Sequence, residues 1–140
     1  MPGGSTGSIL LGFDAACSGI EMAKVLLAKA RFTTFHQGSV VPPLGLMYLA
    51  SVLRRAGHEV RLYESGYEWK DQDRFRGALR AFRPDVLGLS AITLEAGVME
   101  RMAETARREL PGVPILVGGP HATAYPDRCL QHPAIDYVVR

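Results

Sequence analysis

At 140 residues, 47% apolar and 21% charged, the chain has the length and make-up of one globular domain with its own core, which excludes a disordered or low-complexity protein. Sixteen Lys and Arg against fourteen Asp and Glu leave a net charge of +2, and the basic residues are scattered, so no nucleic-acid partner is expected. No stretch approaches the roughly 20 apolar residues of a membrane span, and two cysteines, Cys17 and Cys129, are too few for an iron–sulfur or zinc site and read as reduced thiols of a cytoplasmic protein.

Met1–Ser8 is rich in Gly and Ser and reads as a flexible leader, with the domain proper expected over residues 9–140. Ile9 to Phe13 is a short apolar run that breaks at Asp14, the pattern of a buried parallel strand, and is taken as the first strand. Ile20, Ala23, Leu27 and Ala30 recur at helical spacing, so a short helix is expected from Ser18 to about Ala30. Arg31 to Val41 looks irregular.

Pro42-Pro43 can open a helix, and Leu46, Leu49, Ala50, Leu53 and Ala56 mark its apolar stripe as far as Gly57. Glu59 to Tyr63 alternates like an edge strand; Phe75, Ala78, Leu79 and Phe82 give the next helix its buried face, closed by Pro84. Val86 to Ser90 is a uniform strand, followed by a helix carrying Met99, Met102, Ala103, Ala106 and Leu110, with both methionines read as core filler. Pro114 to Val117 is the fourth strand, Asp127 to Gln131 a short polar helix, and Ile135 to Val139 the last strand.

This alternation predicts a flavodoxin-like, Rossmann-like α/β fold: a doubly wound five-stranded parallel sheet in the order 2-1-3-4-5. Ligands of such sheets bind beyond the carboxyl ends of the strands, where the order reverses. The residues placed there are Asp14, Ser90, Ala91, Thr93, Gly118, Gly119, Pro120 and His121. They are small or hydroxyl-bearing, and glycine admits a flat ligand close to the backbone. No P-loop, no GxGxxG after the first strand, no HExxH and no nucleophile–base arrangement is legible, so the domain reads as a holder and not as a catalyst. Ser90 and Thr93 can equally cap the following helix, Gly118-Gly119 can be a tight turn, and His121 a packing residue. Tyr63, Glu64 and Ser65 can rim the pocket, and His36 stands nearer a ligand than His58.

Pro42 to Ala50, Leu53 to Val60, Arg83 to Ser90, Gly118 to Thr123 and Pro133 to Arg140 occur in an order that resembles the cobalamin-binding domain at the front of B12-dependent radical SAM enzymes. The resemblance runs from about Pro42 to the end. It implies that the chain is a fragment of a longer protein and binds cobalamin. In that parent, a radical SAM domain in cis would carry a [4Fe–4S] cluster and S-adenosylmethionine, for methyl transfer or other radical chemistry such as ring formation. Catalysis by the fragment itself is not expected. Methionine-synthase-type domains carry Asp-x-His-x-x-Gly, whereas Asp14-x-Ala16-x-x-Gly19 has alanine in place of the cobalt-ligating histidine. That departure keeps open a cofactor-free domain supporting a catalytic barrel; a flavin-binding or receiver-like domain is a third reading.

Overall fold

The computed structural model describes residues 21–31, 42–65 and 72–140. Strand β1 is Lys24–Lys29, which corrects the helix expected across Ser18 to Ala30. The four-residue apolar run from Val25 to Ala28 is what a central parallel strand buried on both faces requires. The apparent helical spacing of Ala23, Leu27 and Ala30 skipped Val25 and Leu26, whose burial belongs to opposite faces of a strand. The strand expected at Ile9 to Phe13 lies outside the described residues.

Helix α1 (Leu44–Arg55), β2 (Glu59–Glu64), α2 (Gln72–Phe82) and β3 (Val86–Ser90) follow. A 3-10 turn at Thr93–Glu95 leads into α3 (Ala96–Glu109). Then come β4 (Ile115–Gly118), the short helices α4 (Pro120–Ala124) and α5 (Pro126–Leu130), and β5 (Tyr137–Val138). All pairings are parallel and the order is β2-β1-β3-β4-β5, the flavodoxin-like arrangement the sequence predicts, with β2 at the edge. Helix α4 was not anticipated, and the last strand is shorter than Ile135 to Val139.

The two faces of the sheet are packed unequally. On one, Leu26, Ala28, Leu87, Leu89, Ile115 and Val117 meet Phe75, Leu79 and Phe82 of α2 and Met99, Met102, Ala103 and Ala106 of α3. Each large side chain fully buried there is worth about 1.5–3 kcal/mol. On the other, among the described residues, Val25, Leu27 and Val60 meet Leu46 and Ala50 of α1, with Leu53 packed alongside. Leu49, expected on the buried stripe, is 53% exposed and Ala56 is exposed as well, because the strip facing the two strands is narrower than the apolar stripe. Gly57, at φ +91, ends α1 as expected, with His58 N–H donating to the Leu53 carbonyl at 3.1 Å.

At the amino edge of the sheet, Arg107 ties α3 to the strands. Its guanidinium donates to the carbonyls of Pro111, Val113 and Ala134 and to the Asp136 carboxylate, which also accepts Ile115 N–H at 2.7 Å. No helix among the described residues is long and apolar enough to cross a membrane.

Candidate functional site

Registers across the sheet define a transverse row at its carboxyl edge. Lys29 is paired with Glu64 of β2 and with Ser90 of β3, and Ser90 is paired with Gly118 of β4. Side chains alternate along a strand, so this row projects to the same face as Leu27 and Val60, the face that carries α1. The row beneath it reads Leu62, Leu27, Gly88, Leu116 and Tyr137. Helix α1 covers β1 and β2 on this face, while the buried residues of α2, α3, α4 and α5 join the opposite cluster. Over β3, β4 and β5, the floor therefore consists of Gly88, Ser90, Leu116 and Gly118, bordered by Tyr137 and Val139 at 56% and 54% exposure.

Two charged links brace the edge beside this floor. Glu64 pairs with Arg31, whose backbone N–H donates to Ser65 Oγ at 2.8 Å. Tyr63 instead packs against Phe75 in the core, ring centroids 5.1 Å apart. Lys29 donates to Glu95, and the same carboxylate accepts Ile92 N–H at 3.1 Å. Neither Lys29 nor Glu95 was anticipated. Placing helix across β1 hid a lysine that ends an apolar strand, although Glu95, three residues after Ile92, stands where a capping carboxylate belongs.

Gly119 adopts φ +88, ψ −174, a region essentially restricted to glycine. Its conformation carries the chain into α4, where Pro120 takes the first helical position. His121 N–H then donates to the Ala91 carbonyl at 3.1 Å. The His121 ring is 2% exposed, lies over Tyr125 at 5.4 Å between centroids, and brings Nδ1 within 3.3 Å of Thr93 Oγ1. Thr93 thus engages His121 and caps no helix by its side chain. His121 Nε2 is buried without a hydrogen-bond partner among the described residues. His58 Nδ1 accepts Ala23 N–H away from this edge.

Seven of the eight sequence-selected residues, Ser90, Ala91, Thr93, Gly118, Gly119, Pro120 and His121, therefore gather at the ends of β3 and β4. Asp14 and His36 lie outside the described residues. The segment leaving β1 begins at Ala30. No group of three or more potential metal ligands occurs among the described residues. Cys129 is buried, and burial pushes its thiol above the usual range, which suits packing and not nucleophilic attack. The described residues here offer a floor of glycine, serine and leucine, a buried imidazole nitrogen without a partner, and no reacting pair.

The family model for the B12 binding domain matches residues 30–140. The chain is 31% identical over 135 residues to cytidylyl-2-hydroxyethylphosphonate methyltransferase of Streptomyces wedmorensis, covering 82% of this chain and 25% of that protein. It is 31% identical over 101 residues to the anaerobic magnesium-protoporphyrin IX monomethyl ester cyclase of Rubrivivax gelatinosus, covering 71% of this chain and 18% of that protein. The chain thus spans a quarter or less of the length of these relatives. A crystal structure of a pilus assembly-related protein from Burkholderia pseudomallei shares the fold, with a TM-score of 0.54 and 19% identity over 85% of this chain and 78% of that one.

Proposed function

The chain belongs to the B12-binding domain family, and on that premise we propose that the bare sheet face over β3 and β4 holds cobalamin and presents it to a radical SAM catalytic domain in the same polypeptide. The observation that carries this reading is the floor of Ser90, Leu116 and Gly118, which no buried apolar helix residue among the described residues covers on the α1 side. The residues present fit the cofactor on two further counts. Buried His121 Nε2 is a polar atom without a partner at this edge, costly to leave unmatched unless a ligand engages it, and the Ser90 side chain stands beside the same turn.

In this account Gly118 leaves room for the nucleotide tail against the sheet, Leu27 closes the space over Gly88, and Ser90 offers the tail a hydroxyl. Gly119 and Pro120 set the turn, Ala91 supplies the carbonyl that anchors α4, and Thr93 orients the His121 ring toward the ligand. Bound cobalamin would supply a cobalt-centred methyl carrier or one-electron centre. The catalytic domain, holding a [4Fe–4S] cluster and S-adenosylmethionine, would bring the substrate. The names of the Streptomyces methyltransferase and the Rubrivivax cyclase support methyl transfer or ring formation as the parent's chemistry.

A cofactor-free scaffold is the competing reading, and one feature favours it: the backbone alone requires glycine at 119. The two separate on one experiment. The purified chain is incubated with hydroxocobalamin, desalted, and its visible spectrum recorded. Retained corrin absorbance in proportion to protein supports the cofactor reading; a colourless protein fraction supports the scaffold.

A further inference from the structure

We infer that Lys29, held in place by Glu95, is a specificity-determining cation that reads the phosphodiester of the cofactor's nucleotide tail; this rests on the cobalamin reading above. The Lys29 and Glu95 side chains are only 16% and 10% exposed. Desolvating two charges costs enough that an apolar pair of similar size is often as stable or more so. The pair is therefore poorly explained by stability, and its position supplies another reason.

Lys29 lies in register beside Ser90 on the face that carries the glycine floor. An ammonium has three N–H donors, and the structure engages Lys29 Nζ with Glu95. Glu95 is itself fixed, because it also accepts Ile92 N–H at the start of the turn into α3. A lysine so oriented keeps donors free at the end of the strand whose last residue is in register with Ser90. The corrin periphery of cobalamin is built of neutral amides, and the one permanent anion of its nucleotide tail is the phosphodiester. A cation and a hydroxyl side by side at the edge of a bare floor match that group. Cobinamide, which keeps the corrin and lacks the phosphate, ribose and base, has nothing for Lys29 to read.

The test is equilibrium binding of hydroxocobalamin and of dicyanocobinamide to wild type and to Lys29→Met/Glu95→Gln. The double variant removes both charges together and keeps an oxygen for Ile92 N–H. Thermal melting followed by circular dichroism reports folding. Lys29→Gln, which keeps a donor for Glu95, is the second variant if the double one melts early, and Lys29→Arg is the rescue.

Wild type is expected to prefer cobalamin. The variants lacking the Lys29 ammonium should lose about tenfold to a hundredfold in cobalamin affinity with little change toward cobinamide, as for one lost charge-assisted hydrogen bond, and Lys29→Arg should restore the preference. A folded variant that discriminates as wild type does, or a wild type that binds both corrinoids equally, overturns this inference alone. A wild type that retains neither corrinoid overturns the cobalamin reading and this inference with it.

Discussion

Gly119 and Ser90 stand so close that a Cβ on the glycine would lie 2.6 Å from the serine Oγ, with the Ala91 carbonyl oxygen at 3.3 Å. The turn from β4 into α4 thus locks onto the end of β3. Gly119→Ala must both relieve that contact and hold a backbone conformation reserved for glycine, at a cost of about 1–3 kcal/mol or more. Urea denaturation should show the midpoint fall with the slope unchanged.

The two leucines of α1 offer a second check. Leu46 is buried against β1 and β2, whereas Leu49 is more than half exposed. Leu46→Ala should cost about 2–4 kcal/mol, and Leu49→Ala about 0.5 kcal/mol or less. Equal losses in chemical denaturation would mean that Leu49 is covered.

Acid sensitivity should trace in part to Asp136. Its burial works against the ionised form and is the largest influence. The Ile115 amide and the Arg107 guanidinium outweigh it together, so its carboxyl titrates below the ordinary range. A carboxyl with a lowered folded pKa contributes stability above its unfolded value, about 3.9, and loses that contribution as pH falls through the folded value. Asp136→Asn should destabilise the protein at pH 7 by on the order of 1 kcal/mol, as for one charge-assisted hydrogen bond. Urea midpoints measured from pH 7 downward should show the gap to wild type closing below about pH 3.9.

Much of this arrangement is legible in residue order. Pro42-Pro43 before an apolar stripe, Gly57 after it, and the uniform run from Val86 to Ser90 each have one good structural reading, and the helix, cap and strand stand where those residues put them. Lys24–Lys29 reads as helix in the sequence because its apolar run is short and lies within a longer set of apolar positions that also fits helical spacing, an ambiguity that periodicity alone does not resolve. That one misreading hid Lys29. The gathering of Ser90, Thr93, Gly118 and His121 follows from the strand order and was accessible from sequence. The pairing of Lys29 with Glu95, 66 residues apart, and the absence of helix cover over Gly118 among the described residues are tertiary facts with no local signature.

The central claim, that the floor of β3 and β4 receives the cofactor, is tested most directly at Gly118. A Cβ there meets nothing nearer than the Val139 carbonyl oxygen at 3.5 Å, so Gly118→Leu should fold with a melting temperature close to wild type while its side chain occupies the floor. Equilibrium dialysis against hydroxocobalamin should then show binding by wild type and a loss of about tenfold or more in the variant, as expected when a filled slot excludes its ligand. Equal binding by a folded Gly118→Leu protein would contradict the account.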